Sequence, residues 1–376
     1  MPSVSTPLTT GPVVCAGCGA LCDDILLDGT SKLCGRGVDF MQKLPGFTGR
    51  AWSHGKAIPQ SDAITQARQL LQASKAPGIL GLTLVTVEAV TAAVKLAQQL
   101  SAWLSPWPPD PIRFWGHHAP DLALSRAELE QAADLVLYLD FENGVDAVQP
   151  RQRERHLSRG LGLKRKQMDI RWSASERHHN IINLRLHLER QATLNAELKL
   201  LAEAISSSRC VQLFFNAQLA QDDPHYIEQW QHLAAQQRKH RRMGVSLLGS
   251  TGKRATVTET LTWLTGYPGP LHFANNTIRY LPHVGEVDQL MKQNALDTIL
   301  WLGTRPTHGA KNAKQIVIAA DPQHDVEVAL EVPGLHPALD AHLIRGDGIM
   351  LRLAGANPGQ SDPMAQLLTS LTEGQP

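Results

Sequence analysis

At 376 residues the chain exceeds what one ordinary hydrophobic core organises, so two or three domains are expected. Its 43% hydrophobic and 19% charged content is that of a globular protein, and a net charge of +1 argues against a dedicated nucleic-acid or membrane surface. No run of about 18 apolar residues occurs, so no membrane span is expected. The opening MPSVSTPLTTGPVV lacks the basic-then-apolar pattern of a signal peptide and reads as a short disordered arm, which makes the expected location cytoplasmic.

The first pattern in chain order is a cysteine cluster. Cys15, Cys18, Cys22 and Cys34 form C-x2-C-x3-C-x11-C. In a reducing compartment such spacing points to a metal before a disulfide. Three outcomes stay open: thiolates that wrap a 4Fe-4S cubane, a structural zinc ion, although zinc favours two separated pairs, and a hairpin that has lost its metal. Asp23 and Asp24 follow Cys22 directly and would either tune a cluster or cap the hairpin. The fifth cysteine, Cys210, lies among Val211, Leu213 and Phe214 and reads as core.

Beyond the cysteines, SDAITQARQLLQAS (61–74) places Ile64, Ala67, Leu70 and Leu71 on one face and predicts an amphipathic helix with Ser61 as its N-cap. APGILGLTL (76–84) predicts a buried strand, and 86–103 a second helix. SPWPPDP (105–111) holds four prolines, which suit neither a helix interior nor a central strand, so it reads as a rigid crossing. ADLVLYLD (133–140), KQMDIRW (166–172) and NIINLRL (180–186) are strand candidates. A long helix is expected from about 187 to 205, with Leu194, Leu198, Leu201 and Ile205 inward. CVQLFFNA (210–217) and GVSLLG (244–249) predict two more strands, and LDTILWLG (296–303), KQIVIAAD (314–321) and VEVALEVP (326–333) a further trio that echoes the earlier one. Strands alternating with helices predict mainly parallel sheets covered on both faces, with ligand sites at the strands' carboxyl ends.

Other chemistry-bearing residues are sparse. His117 and His118 are adjacent, and on a strand neighbouring side chains point apart, which suits neither a shared metal ion nor a catalytic pair. The densest basic stretch is RQRERHLSRGLGLKRK (151–166). A solvated helix face or an intersubunit surface is its ordinary reading, and nucleic acid is disfavoured by the neutral total charge. No G-x-S-x-G, H-E-x-x-H, P-loop or dinucleotide fingerprint is present.

CAGCGALCDDI (15–25) followed by CGRGVDF (34–40) resembles the opening of the catalytic subunit of formylmethanofuran dehydrogenase, a compact relative of the molybdopterin oxidoreductases. The resemblance continues through 63–71, GLTLVTVEAV (81–90), ADLVLYLD, RHLSR (155–159), ETLTWLTGYP (259–268), IRYLP (278–282) and RGDGIMLRL (345–353). It implies an α/β fold: a cysteine-hairpin, iron-sulfur-like module over 1–50, and two Rossmann-like α/β units of the molybdopterin oxidoreductase type. One unit, 106–245, would be inserted into a discontinuous one made of 51–105 and 246–376. The family's C-H-G-P-like motif supplies a thiolate to tungsten or molybdenum. HHAP (117–120) matches it here, so His117 stands at the lost metal-ligand position, and imidazole is a poor substitute for a soft thiolate. The span from Cys22 to Cys34 is also shorter than in the family.

With that ligand replaced, the chain is similar to the dehydrogenase-like subunit of the bacterial formyltransferase/hydrolase complex. The resemblance implies a non-redox, structural role in one-carbon metabolism, with no catalytic residue of its own and no tungsten or molybdenum pterin. It implies partners: a formyltransferase subunit, an amidohydrolase-like subunit and one further subunit. The complex would convert formyl-tetrahydromethanopterin to formate through a methanofuran analogue. Because such carriers bear glutamate-rich tails, Arg151, Arg155 and Arg159, aligned on a helix at i, i+4 and i+8, become candidate contacts for an anionic tail. The competing expectation is a redox-active dehydrogenase subunit with a tungsten or molybdenum pterin and a 4Fe-4S cluster at Cys15, Cys18, Cys22 and Cys34.

Overall fold

The apolar runs of the sequence become strands, and the helices between them cover both faces of two sheets. The computed structural model describes residues 12–17, 21–26, 33–42, 49–83, 85–107, 124–140, 166–190, 193–215, 219, 222–247, 252–275, 277–305, 312–337, 339–353 and 361–373. The chain divides into two compact units, 1–110 with 252–345 and 350–376, and 111–251 with 346–349.

In chain order the elements begin with the hairpin β1 (Val13–Cys15) and β2 (Cys22–Ile25), then α1 (Gly35–Met41), β3 (Ala51–Ser53), β4 (Lys56–Ile58) and α2 (Gln60–Gln72). There follow β5 (Pro77–Gly81), α3 (Val87–Leu100) and β6 (Trp103–Pro106). The second unit supplies α4 (Arg126–Ala132), β7 (Leu135–Leu139), β8 (Lys166–Ile170), α5 (Arg177–Arg190), α6 (Ala196–Ser207), β9 (Cys210–Phe215), α7 (Pro224–Gln237) and β10 (Arg242–Leu247). The chain then returns to the first unit with α8 (Gly252–Thr265), β11 (Leu271–Ala274), β12 (Thr277–Tyr280), α9 (Val287–Lys292), β13 (Thr298–Leu302), β14 (Lys314–Ala319) and β15 (Val328–Glu331). It ends with β16 (Ala341–Ile344), β17 (Met350–Leu353) and α10 (Pro363–Thr372).

The first unit is built on a nine-stranded sheet in the order β12-β11-β6-β5-β13-β14-β15-β3-β4. Its middle is parallel, from β6 through β5, β13 and β14 to β15, and the flanking pairs are antiparallel. Taken in chain order, the five parallel strands run 2-1-3-4-5. Alternation along each strand divides the core by face. Ile79, Leu300, Leu302, Ile316 and Ile318 join one cluster under α2, α3, α8 and α10. Leu80, Ile299, Trp301 and Val317 join another with Val287 and Leu290 of α9. The hairpin β1–β2 and α1 share a smaller core with β17, β16 and Leu335 and Leu339.

The second unit has a wholly parallel sheet, β10-β9-β7-β8, which is 2-1-3-4 in chain order read from β8. Leu135, Leu137, Leu139, Val211, Leu213 and Phe215 face α5, α6 and α7, and Val136, Tyr138, Cys210 and Phe214 face α4. Cys210 is core: it is 6% exposed, and burial pushes its thiol up to about 11.

Four local expectations change. NIINLRL belongs to α5, not to a strand: Ile181 and Leu184 are buried while Ile182 and Leu186 are exposed, so burial at the helical spacing overrides a short stretch of alternation. The single helix expected over 187–205 is two, because the Asn195 side chain accepts from the backbone N–H of Leu198 at 2.8 Å and starts α6 afresh; such a cap contributes about 1 kcal/mol. Helix α2 begins one residue before Ser61, with Pro59 in the N-cap position and Ser61 in the first turn. Pro106 ends an internal strand, paired with Gly81; its missing N–H is tolerated there because Trp107 donates the next bond to Gly81 O, at 2.8 Å.

Candidate functional site

The cysteine hairpin is the first place to look for chemistry. Cys15 and Cys22 stand directly opposite one another in the antiparallel ladder, which puts both side chains on one face. Cys34 occupies the N-cap of α1, with no hydrogen bond from its side chain to the helix. Helix α1 lies against Cys15: a Cβ built on Gly37 would stand 3.5 Å from Cys15 Sγ. Thus three of the four cysteines belong to two elements packed together. The fourth, Cys18, lies outside the described residues. Among the described residues no group of three or more His, Cys, Asp or Glu side chains is arranged to hold a metal ion.

Asp23 has a structural task. Its carboxylate accepts from Arg345 Nη1 at 3.0 Å, and the Arg345 side chain is 9% exposed. The pair ties the hairpin to the end of β16, in agreement with a carboxylate that stabilises the hairpin. His117, Arg151, Arg155 and Arg159 lie outside the described residues, so the lost metal-ligand position and the basic stretch keep only their sequence argument.

In doubly wound sheets ligands bind beyond the carboxyl ends of the strands, where strand order reverses. Each unit has one such point, between its first and third parallel strands. In the first unit it lies between β5 and β13, and backbone from the two strand ends approaches closely there. Gly81 and Gly303 end these strands at φ +95° and +85°. A Cβ on Gly81 would stand 2.7 Å from Leu302 O, and one on Gly303 would collide with Thr83 Oγ1. Thr83 N donates to Leu302 O at 3.2 Å, and Thr304 N donates to Thr83 Oγ1 at 2.7 Å. Only glycine permits this approach.

In the second unit the corresponding point lies between β7 and β9 and is polar. Asp140 follows β7 at φ +49°, and its N–H donates to Ile170 O at 2.9 Å. Arg177, in the first turn of α5, reaches Asp140 at 3.7 Å and Asp223 at 3.4 Å, with its guanidinium 5.3 Å over the Tyr226 ring. Asp223 caps α7 by accepting from Tyr226 N at 3.2 Å, and both its oxygens lie 3.1 Å from His178 Nε2. Burial pushes the Tyr226 phenol far above its ordinary range, so it stays protonated. Both carboxylates pair with Arg177, and Asp223 also caps α7. Sequence reasoning missed this cluster. Its one visible signal was an Asp at the end of the apolar run LVLYL; Arg177 and Asp223 follow no motif spacing.

Two doubly wound α/β units, the first assembled from separated stretches of chain, thus define the class of fold. No protein-family model matches the chain, and no curated protein matches it. Among solved structures the chain is similar to a chain of the formyltransferase/hydrolase complex (FhcABCD) from Methylorubrum extorquens, determined by X-ray crystallography in complex with methylofuran. The TM-score is 0.69 at 20% sequence identity, and the match covers 85% of this chain and 97% of that chain. At this identity the likeness is one of fold.

Proposed function

We propose that the chain is a structural subunit, the dehydrogenase-like one, of a formyltransferase/hydrolase complex in one-carbon metabolism. On this reading it descends from the catalytic subunit of a formylmethanofuran dehydrogenase and keeps the fold without the redox chemistry. The observation that carries the proposal is the fold match over 97% of a chain from such a complex. The formyl group would pass from formyl-tetrahydromethanopterin to a methanofuran analogue on one partner subunit, and an amidohydrolase-like partner would release formate. The reading is supported by the histidine at position 117, where the family has a thiolate. No helix among the described residues is long and apolar enough to cross a membrane.

Co-expression with the formyltransferase, amidohydrolase-like and remaining subunits should return one complex that contains this chain. Elemental analysis of that complex should find no tungsten or molybdenum, and near-stoichiometric amounts of either would instead support the dehydrogenase reading. Iron and zinc contents, compared with those of a Cys18→Ser variant, decide between a 4Fe-4S cluster, a structural zinc ion and a vestigial hairpin. For the basic stretch the proposal is electrostatic: Arg151, Arg155 and Arg159 steer the carrier's anionic tail. Exposed contacts of this kind contribute under about 1 kcal/mol each and are screened by salt. A triple Arg→Gln variant should assemble normally and transfer formyl groups more slowly at low salt than at high salt, relative to wild type. Normal transfer at low salt, or failed assembly, would refute the steering role.

A further inference from the structure

Two cysteines face one another across the hairpin that opens the chain. Cys15 and Cys22 are directly opposed in the β1–β2 ladder, so both side chains leave one face of the ribbon. Both belong to one core cluster, with Val13, Leu21, Ile25 and Phe40. Opposed residues of an antiparallel pair have Cα atoms about 4.5 or about 5.5 Å apart, depending on whether they exchange hydrogen bonds. Either value falls inside the span of about 4.4–6.8 Å that a disulfide bridges. The Cβ atoms must draw together slightly to close such a bond, and the ladder is irregular beside Cys15, where a strand bends most readily.

The two thiols differ in access. Cys15 is 5% exposed, whereas Cys22 is half-buried. An accessible cysteine with a shielded neighbour that resolves it is the arrangement of reversible thiol chemistry. Cys34 is the rival partner. It stands at the start of α1 and not on a paired strand, so no ladder fixes its distance from Cys22.

We propose that Cys15 and Cys22 form a reversible dithiol–disulfide pair, closed by a small disulfide such as oxidised glutathione and reopened by a thiol. The Cys22 thiolate attacks one sulfur of oxidised glutathione. That S–S bond breaks, a mixed disulfide forms on Cys22 and one glutathione leaves. The Cys15 thiolate then attacks Cys22 Sγ, and the second glutathione leaves. Two cysteine thiols lose two electrons, one glutathione disulfide becomes two thiols, and the two cysteine protons end on the glutathiones. In a reducing compartment such a bond is transient and follows the redox state. It consumes two of the four thiols of C-x2-C-x3-C-x11-C, and Cys18 lies within the loop it closes. The bridged form and a metal held by all four thiolates therefore exclude one another, and the pair gives a task to a hairpin that has lost its metal.

The test uses the full chain, alone and in its complex, equilibrated in glutathione redox buffers. Acid-quenched samples are alkylated, reduced, alkylated with a second reagent and digested with trypsin. No lysine or arginine precedes Lys32, so Cys15, Cys18 and Cys22 share the peptide 1–32, and Cys34 falls in LCGR, 33–36. Under oxidising buffer the first reagent should mark Cys18 and Cys34 and the second Cys15 and Cys22. Without the reduction step, the peptide 1–32 should be two hydrogens lighter than its dithiol form. Dithiothreitol should reverse both signals. Cys15→Ser should stop the reaction at a glutathione adduct on Cys22, and Cys22→Ser should slow oxidation of Cys15 about tenfold or more, because the shielded thiol is left to react alone. A bond that joins the peptide 1–32 to LCGR overturns the proposal. So does the absence of any bridge in the most oxidising buffer, and so does bound iron or zinc that keeps all four cysteines from oxidation. The wild-type peptide map decides by itself if a variant fails to fold, and none of these outcomes depends on which subunits the chain joins.

Discussion

Thr86 joins the starts of two helices, and replacing it should destabilise the first unit by an amount that depends on pH. As the N-cap of α3, its hydroxyl accepts from Ala89 N at 3.1 Å. The same hydroxyl donates to Asp362 Oδ2, and Asp362 caps α10 by accepting from Met364 N at 2.8 Å. Thr86 and Asp362 are 1% and 5% exposed. Thr86→Val keeps the shape and removes both bonds. Loss of the cap costs about 1 kcal/mol, and a buried carboxylate oxygen left without its donor costs about 1–3 kcal/mol more. The sum, roughly 2–4 kcal/mol, lowers the melting temperature by about 5–10 °C. Thr86→Ser keeps both bonds and should cost under about 1.5 kcal/mol, the transfer of one methyl group plus a small cavity.

The pH dependence follows from Asp362. Burial raises its pKa above the ordinary carboxylate value, against the lowering effect of the Thr86 and backbone hydrogen bonds. A carboxyl raised in the fold contributes stability that is present below its unfolded pKa and is lost as pH rises through the folded one. Removing the Thr86 donor raises it further, so the cost of Thr86→Val should be larger at pH 7.5 than at pH 4.5. Urea titrations of the isolated chain at both pH values would measure this. A loss under about 0.5 kcal/mol at pH 7.5, or one that grows on acidification, would refute the linked-cap argument.

Three further outcomes are expected. His336 is 3% exposed with neither ring nitrogen partnered among the described residues, and burial lowers its pKa; the fold holds it neutral, so stability should fall as pH drops below about 6.5, and His336→Leu should shift urea midpoints upward more at pH 5 than at pH 8. Gly303→Ala forces a Cβ into Thr83 Oγ1 at φ +85° and should lower stability by about 2–4 kcal/mol, measured by chemical denaturation; a loss below about 1 kcal/mol would show that β5 and β13 can part at little cost. Arg177→Met leaves Asp140 and Asp223 without their shared cation, and because the group is partly solvated the expected loss is about 2 kcal/mol, confined to the second unit and read by hydrogen exchange in α5 and α7.

The strands were the most legible part of the fold, for a physical reason. Central parallel strands are buried on both faces, so LVLYL, CVQLFF and TILWL appear as continuous apolar runs that no other element of that length produces. Helix α5 was not legible, because its seven-residue core NIINLRL alternates as a half-buried strand would, and only the longer run to Leu188 reveals a helical face. The division of 187–205 into two helices depends on one side chain, Asn195, whose capping role competes with an otherwise continuous apolar period. At the site level, the spacing of Cys15, Cys18, Cys22 and Cys34 is local in sequence, and the structure sets Cys15 opposite Cys22. The Asp140–Arg177–Asp223 group was not, because it is assembled by topology from the ends of β7, α5 and α7, which no short pattern records.

The two units share a strand order and differ where the order reverses. Topology alone would open a crevice in each, since loops leave adjacent strands in opposite directions there. In the first unit Gly81 and Gly303 remove the side chains that would hold the two strand ends apart, and Thr83 bonds across the gap. In the second unit Asp140 turns the chain at positive φ, and an arginine from α5 spans it to the cap of α7. Backbone crosses the first point at close range, and one guanidinium between two carboxylates spans the second.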